Sequence, residues 1–396
     1  MTYNNSEIAL YIHIPFCDQI CHYCDFAKTA NWSSSIADDY FERVQSHLKF
    51  WKNRLLLENK KISSVFFGGG TPGIFTDKYE TVLQEIRELF TKNCEITLEA
   101  NPSNINEVAL KTWKEIGVNR LSIGVQSFRE KELKFLVRDH SPEISIGAIE
   151  LSKKYFQNLN VDLIYGIPGQ SLADFEEDLS RAISLGVNHL SLYNLTFENG
   201  TPIGRAYHRG KISEDNIAPE NQFYKLARAM LADKGYDHEE VSNWSKPGYS
   251  CNHNWVYWQM KPYVAVGAGA HGFIRGAADD LGIRYSFKKN DRVFEQAGVV
   301  SSLEKYFEQS SAIVEERNAD DLLIEYVTTS LRTSKGVPIK EIEDNLGVVF
   351  NPNQKLQDQI EKGMVELGDS LIFDPEYWFF ENIWGLEVLE SFSNKT

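Results

Sequence analysis

Short apolar stretches alternate with longer amphipathic ones along the first 200 residues of the chain. The short stretches are rich in β-branched and aromatic residues, which favours strands at 7–14, 62–67, 95–100, 120–125, 159–165 and 188–193. The longer stretches predict helices at 34–56, 76–90, 105–116, 141–155 and 171–185. This alternation predicts an α/β fold with a parallel sheet and helices outside it, either open and doubly wound or curved into a partial barrel.

The pattern changes after residue 200. A helix is predicted at 216–235, and the stretch 236–275 is dense in aromatic residues, glycine and histidine. Farther on, helices are predicted at 318–334, 339–346 and 353–367, and a short strand follows at 370–373. This order of three helices and a strand resembles a winged-helix module. We therefore divide the chain into a core at 1–235, an aromatic-rich extension at 236–309 and a small C-terminal domain at 310–396.

Charge and cysteine usage narrow the class of protein. The net charge is −15 and the sequence has no basic stripe, so we expect no nucleic-acid partner. We find no apolar run of about 18 residues and no signal-peptide pattern at the start. Three of the five cysteines fall within eight residues, which favours a metal site in the cytoplasm over a disulfide framework. Contact with a membrane is expected only through a partner protein.

Unusual polar and glycine clusters follow the predicted strands. Cys17 follows the first strand, three glycines at 68–70 follow the second, and Glu99 ends the third. Gln126 follows the fourth strand and Asn194 the sixth. Because parallel α/β sheets bind their ligands at the carboxyl ends of the strands, this edge is predicted to be the functional face.

The cysteine cluster carries the most specific chemistry. Cys17, Cys21 and Cys24 have the spacing Cys-x3-Cys-x2-Cys. Three thiolates on one loop can hold a cuboidal [4Fe–4S] cluster and leave one iron open for a chelating ligand. Three buried core thiols are one alternative, and a zinc site with His22 as the fourth ligand is another. Zinc sites usually come as two separated ligand pairs, so we favour the iron–sulfur cluster.

Further candidates lie at the same edge. The glycine run could be an ordinary turn or could let the backbone approach a ligand. Arg120 and Gln126 lie at the two ends of an apolar strand and are candidates for the site, although a salt bridge and a surface amide would also explain them. Arg138 could be a solvated charge. Asp162 lies inside an apolar strand, where a carboxylate is costly unless it is paired, so it is a candidate for the site.

The cysteine loop after the first strand resembles the radical S-adenosylmethionine superfamily, and Gly68 to Pro72 resembles its glycine-rich element. In that superfamily the methionine amine and carboxylate of S-adenosylmethionine chelate the open iron. An electron from the cluster then splits the sulfonium and gives a 5′-deoxyadenosyl radical. The difficult chemistry belongs to the cofactor, which the protein positions and shields.

Taken together, these blocks closely resemble the family of oxygen-independent coproporphyrinogen III oxidase and related heme chaperones, over most of residues 8–275. The resemblance implies a partial (β/α)6 barrel with a small winged-helix-like C-terminal domain. It implies that the residues contacting cluster-bound S-adenosylmethionine are Tyr11, Gly69, Glu99 and Arg120. Positions that match the oxidase's site for a second S-adenosylmethionine are Tyr23, Gly70, Thr71, Gln126, Arg138 and Asp162. Whether a second molecule binds is left open.

Three features favour the chaperone branch over the oxidase. The oxidase has a further cysteine at the position of Phe26, and it has a long N-terminal extension, whereas ten residues precede Tyr11 here. The stretch 253–258, His-Asn-Trp-Val-Tyr-Trp, resembles the HNxxYW motif associated with heme binding. The imidazole of His253 is a plausible heme ligand, although the motif could also be a structural aromatic corner. His271 departs from the small residue that the chaperones have there.

We therefore expect a heme chaperone that binds a [4Fe–4S] cluster, S-adenosylmethionine and heme and transfers heme to an acceptor protein. An electron donor such as a flavodoxin or ferredoxin would serve the cluster. No residue is assigned a catalytic role. The alternatives are a coproporphyrinogen dehydrogenase or another tetrapyrrole-acting radical enzyme, and a sensor of iron or redox state.

Overall fold

The computed structural model describes residues 6–212, 219–275, 282–287 and 312–394. The predicted boundary between extension and C-terminal domain, at 309–310, lies outside these ranges, so the proposed division into three parts stays a prediction. No helix in the described ranges is long and apolar enough to cross a membrane.

Six parallel strands form the centre of the sheet, in the order in which they occur in the chain. They are β1 (Glu7–Ile14), β2 (Lys61–Gly69), β3 (Phe90–Ala100), β4 (Arg120–Gln126), β5 (Asn158–Tyr165) and β6 (His189–Asn194). All six were predicted, because each combines a short apolar run with a long amphipathic stretch after it. Their carboxyl ends lie at one edge, as the functional-face prediction requires.

Helices connect these strands. They are α1 (Ser34–Leu57), α2 (Tyr79–Ile86), α3 (Glu107–Glu115), α4 (Glu130–Leu136), α5 (Pro142–Ser152) and α6 (Leu172–Ser184). Polar side chains cap four of the N-termini, and Ser171 and Asp174 form a reciprocal capping box at α6. The short helix α4 was not predicted, since it has only seven residues and no side-chain cap.

The sheet continues beyond the six predicted strands to twelve strands within the described ranges. The added strands are β7 (Asp237–Glu240), β8 (Asn243–Ser245), β9 (Tyr263–Val266), β10 (His271–Arg275), β11 (Gly282–Ser286) and β12 (Ile313–Arg317). β9 pairs in parallel with β1, whereas β8 pairs antiparallel with β6. The helices of this region are α7 (Pro202–His208), α8 (Glu220–Asp233) and α9 (Asn252–Trp258). The predicted helix at 216–235 corresponds to α8.

The C-terminal region has the predicted order of three helices and a strand, and that strand belongs to a hairpin. Its elements are α10 (Ala319–Ser330), α11 (Ile339–Leu346), β13 (Val348–Phe350), α12 (Gln354–Glu361), β14 (Val365–Leu367), β15 (Leu371–Phe373), α13 (Glu381–Leu389) and β16 (Phe392–Asn394). The helix predicted at 353–367 was too long. Gly363 has a left-handed φ of 70°, which ends the helix, and β14 pairs with β15.

Two large hydrophobic clusters stabilise these parts. The first fills the space between the parallel strands and their helices. The second joins Leu322 and Trp378 of the C-terminal region to Val256, Tyr263 and Phe273 of the extension. The C-terminal region therefore packs against the segment that carries the predicted heme motif.

Candidate functional site

A cavity of about 1110 Å³ opens at the carboxyl ends of the parallel strands. It brings together every residue to which the sequence assigned a binding role. These are Tyr11, Cys17, Cys21, Tyr23, Cys24, Gly69, Gly70, Thr71, Glu99, Arg120, Gln126, Arg138, Asp162 and His253. His271 also lines the cavity, whereas His22, the suggested fourth zinc ligand, is exposed and does not.

The cysteine loop is held to the sheet by backbone hydrogen bonds at its base. The Cys17 amide donates to the Thr29 carbonyl at 3.0 Å, and the Thr29 amide donates to the Pro15 carbonyl at 2.7 Å. The indole N–H of Trp32 donates to the Cys17 carbonyl at 3.0 Å. The loop that carries the thiols is thus anchored at both ends.

The three thiols differ in burial but share one chemical state. None is in a disulfide, and Cys17 is buried whereas Cys21 and Cys24 are partly exposed. Burial raises the pKa of Cys17 to about 11 and also raises the pKa of Cys24. Without a cation the thiols of Cys17 and Cys24 would therefore stay protonated, and metal binding would supply the charge that stabilises their thiolates.

The donor set fits an iron–sulfur cluster. In the described ranges no group of three or more His, Cys, Asp or Glu side chains is placed to hold a single metal ion. A cuboidal cluster makes a different demand, because each thiolate binds a separate iron atom. Three cysteines spread along one loop beside an open cavity meet that demand.

The glycine-rich turn packs directly against the cysteine loop. The Gly70 amide donates to the Ile14 carbonyl at 2.7 Å, and the Thr71 hydroxyl lies 3.7 Å from the Cys17 sulfur. A Cβ atom on Gly70 would lie 2.7 Å from the Phe16 carbonyl oxygen, and Gly69 has a φ of 122°. Both positions therefore require glycine, for close approach and for backbone conformation respectively.

Arg138, which the sequence alone could also explain as a solvated charge, joins four parts of the site. Its guanidinium donates to the Cys21 sulfur at 3.3 Å and the Tyr23 hydroxyl at 3.5 Å. It also donates to the Asn101 side chain at 2.6 Å and the Gly124 carbonyl at 2.8 Å. The preceding residue, Val137, has a left-handed φ of 56°, which is unusual for a β-branched residue and turns the chain into the cavity.

Two carboxyl groups face the cavity. Glu99 accepts a hydrogen bond from the Gly69 amide at 3.1 Å. Desolvation, and then the neighbouring Asp162, raise the pKa of Glu99 to about 8. Asp162 accepts from Asn160 at 2.7 Å and Ser122 at 3.2 Å, and burial raises its pKa as well. The cost of an aspartate inside β5 is therefore met by neighbouring donors and by partial neutralisation.

Arg120 and Gln126, at the two ends of β4, occupy different environments. Arg120 is 2% exposed, and its guanidinium lies 3.1 Å from the Nδ1 atom of His189. Gln126 has a left-handed φ of 70° at an irregularity in the pairing of β4 with β5. Strained backbone of this kind is concentrated at ligand sites, and here it directs the Gln126 side chain at the cavity edge.

The predicted heme residue His253 is held from both sides of its ring. Its Nδ1 atom lies 2.8 Å from the Ser64 hydroxyl, and its Nε2 atom lies 2.7 Å from the Tyr257 hydroxyl. Glu95 accepts the amide N–H groups of Asn252 and His253, both at 3.1 Å, and so caps the start of α9. Burial, and then the charge of Arg120, lower the pKa of His253 to about 3, so the imidazole is neutral.

Several lining residues were not predicted. Tyr193 lies on β6, Phe66 on β2 beside His253, and Arg332 follows α10. Tyr193 ends a strand at the functional edge and could have been found by that rule. Arg332 had no sequence signal, because it comes from the C-terminal region. Phe26 lies at the cavity and is 69% exposed, an unusual position for an aromatic ring.

Comparison with known proteins identifies the family. Residues 11–182 match the Radical SAM superfamily. The heme chaperone HemW of Haemophilus influenzae is 33% identical over 351 residues, which are 86% of this chain and 86% of that protein. The heme chaperone HemW of Buchnera aphidicola subsp. Schizaphis graminum is 32% identical over 91% of this chain and 92% of that protein. The chain belongs to the HemW-like radical SAM family.

The fold of this HemW-like chain is also found in a solved structure. Coproporphyrinogen III oxidase (HemN) from Escherichia coli, a radical SAM enzyme, superposes with a TM-score of 0.73. The match covers 97% of this chain and 90% of that one, at 19% identity. The predicted partial barrel of parallel strands is confirmed by this likeness, which at this identity concerns the fold alone.

The contact between Gly70 and the cysteine loop generates the first prediction. Gly70→Ala places a methyl group against backbone atoms that cannot move aside, so the start of the loop must shift. We expect iron bound after anaerobic reconstitution to fall from about four atoms per chain to half or less, as measured by iron and sulfide analysis. Gly147→Ala is the matched control, because nothing lies within 4 Å of its added Cβ atom. Full iron content in Gly70→Ala would contradict the prediction.

The second prediction follows from the raised pKa of Glu99. Between its ordinary pKa of 4.5 and its folded pKa of about 8, the native state keeps a proton that the unfolded chain releases. This lowers the free energy of unfolding as the pH rises through that window. We expect Glu99→Gln to gain stability over the cofactor-free parent progressively from about pH 5 to pH 8, as measured by urea unfolding.

Glu107 provides a control of opposite sign. Its hydrogen bond with Lys111 lowers the pKa of Glu107. Glu107 therefore adds to the free energy of unfolding above the ordinary pKa of a glutamate, and this stabilisation is lost as the pH falls. Glu107→Gln should therefore lose stability near neutral pH and not in acid. A stability difference for Glu99→Gln that does not change with pH would show that Glu99 is not protonated in the native state.

Proposed function

We propose that this protein is a heme chaperone, which holds a [4Fe–4S] cluster and S-adenosylmethionine and transfers heme to an acceptor protein. The observation that carries the proposal is that the three cysteine thiols and the predicted ligand-binding side chains line one and the same cavity. The family supports it, because relatives that span most of the chain are heme chaperones by name.

Cys17, Cys21 and Cys24 would hold the cluster, and Arg138 would donate to the sulfur of Cys21. Hydrogen bonds to cluster sulfurs adjust the reduction potential, so this arginine would favour the reduced cluster. Bound S-adenosylmethionine would supply radical chemistry, because a single electron cleaves its sulfonium group. An electron donor such as a flavodoxin or ferredoxin would serve this step.

The chain's own groups have distinct tasks around S-adenosylmethionine. The turn at Gly69 and Gly70 would place backbone groups against the methionine part, and Glu99 would accept from a donor of the ligand. Tyr11, whose hydroxyl lies 3.0 Å from the Nδ1 atom of His13, would close the wall behind it. Tyr23, Thr71, Gln126 and Asp162 line the same cavity and would be the contacts of a second S-adenosylmethionine molecule, if one binds.

Heme would lie toward α9 and the extension, where His253 and Tyr257 line the cavity. A neutral imidazole is the form that binds iron, and burial keeps His253 neutral. The Tyr257 hydroxyl now occupies its Nε2 atom, so binding through that nitrogen requires Tyr257 to turn away.

Oxygen-independent coproporphyrinogen III oxidation is the alternative, because HemN has the same fold. Phe26 favours the chaperone, since the resemblance assigns a cysteine to this position in the oxidase. Phe26 instead presents an exposed apolar ring at the cavity. A ring in this position suits contact with a flat apolar ligand or with an acceptor protein.

One incubation separates the two functions. The reconstituted protein is mixed anaerobically with coproporphyrinogen III, S-adenosylmethionine and a reductant, and the products are separated by chromatography. We expect no protoporphyrinogen, together with stoichiometric binding of added heme measured by absorbance. Clear formation of protoporphyrinogen would favour the oxidase and overturn the chaperone proposal.

The geometry around His253 gives a paired test of the heme ligand. His253→Ala should weaken heme binding and change the heme absorption spectrum, because it removes the imidazole. Tyr257→Phe should retain or strengthen binding, because it frees the Nε2 atom that the iron needs. His47→Ala, at another buried histidine that does not line the cavity, controls for lost stability. An unchanged heme spectrum in His253→Ala would exclude His253 as the ligand.

A further inference from the structure

Arg332 is a cavity residue contributed by the C-terminal region. It lies just after α10, and its backbone is attached to the extension. The Val241 amide donates to the Arg332 carbonyl at 3.0 Å, and the Ser334 amide donates to the Glu239 carbonyl at 2.9 Å. The position of Arg332 is therefore fixed by strand-like pairing with the end of β7.

The guanidinium of Arg332 has an aromatic support, and its charge acts on the buried carboxyl group of Glu240 without an ion pair between the two. It lies over the ring of Trp258, 5.5 Å from the centroid, and Trp258 is the last residue of the His253-to-Trp258 motif. Its Nε atom is buried and has no hydrogen-bond partner among the residues that the structure describes. Within the described part of the chain, no carboxylate forms an ion pair with it.

Neighbouring acids do not neutralise this charge by direct pairing. The carboxylate oxygens of Glu240 accept from the Ser242 amide at 2.9 Å and from the side chain of Asn243. Two other basic residues of the cavity, Arg138 and Lys28, are already engaged in hydrogen bonds. Arg138 has the four bonds described above, and Lys28 donates to two carbonyls of the cysteine loop.

Desolvation of a partly buried arginine costs free energy when no carboxylate pairs with it, and a ligand that supplies a carboxylate offsets that cost. Its planar fork matches a carboxylate in two parallel hydrogen bonds, and Trp258 holds the fork in place. Heme has two carboxylates on an otherwise flat apolar ring. We propose that Arg332 binds a propionate carboxylate of the tetrapyrrole in the cavity, an inference that rests on the proposed heme function.

Heme and its dimethyl ester test this directly, because the ester keeps the ring and the iron but has no carboxylate. The full-length protein is titrated with each ligand, and the comparison is repeated for Arg332→Met and Arg332→Lys. Methionine preserves an apolar stem over Trp258, and lysine preserves the charge without the fork. Arg54→Met, at a surface arginine of α1 that does not line the cavity, is the control.

We expect the parent protein and the Arg54→Met control to bind heme about 10-fold or more tightly than the ester. Arg332→Met should lose about 10-fold in heme affinity and little in ester affinity, so the preference disappears, and Arg332→Lys should retain part of it. Equal heme preference in the parent and Arg332→Met would overturn this inference alone. A parent protein that binds neither ligand would overturn the proposed function, and this inference with it.

Discussion

The parallel pairing of β1 with β2 is the constraint on which the site depends. In this register Ile14 lies opposite Gly69, so the cysteine loop and the glycine-rich turn leave the sheet side by side. The Gly70 and Thr71 amides then bond to carbonyls of Ile14 and Phe16. Only glycine permits so close an approach of two backbones, and the carboxyl group of Glu99 reaches the turn from the next strand. The metal-binding loop is thus positioned by the sheet itself.

Local pattern was enough to predict the parallel half of the fold and its functional edge. It did not predict the antiparallel strands that extend the sheet beyond β6, such as β7. β7 has the sequence Asp-His-Glu-Glu, in which no apolar alternation is visible. Glu239 and Glu240 are nevertheless buried, because Ser245, Ser250, Trp255 and Asn243 donate to them. A strand whose burial depends on distant donors cannot be recognised from its own residues.

The same distinction separates the site residues. The cysteines and glycines could be predicted because residues that are neighbours in the sequence form the loop and the turn. Arg138 could not be assigned from its neighbours, since its partners come from the cysteine loop and from the ends of β3 and β4. Arg332 lies still farther away in sequence, and only the packing of the C-terminal region on the extension brings it to Trp258. Sequence reasoning therefore located the cofactor-binding residues better than the part of the lining that the C-terminal region contributes.

The hydrogen bond between Tyr257 and His253 bears on how a chaperone could release its cargo. Under the proposed function, iron can bind the Nε2 atom only after this bond is broken, and the bond re-forms when heme leaves. Its free energy therefore opposes heme binding and assists release, by about 0.5–1.5 kcal/mol for a typical hydrogen bond. An enzyme that must retain a tetrapyrrole through a reaction gains nothing from such competition. A carrier that must pass heme on benefits from it, provided that contacts elsewhere in the cavity supply the specificity.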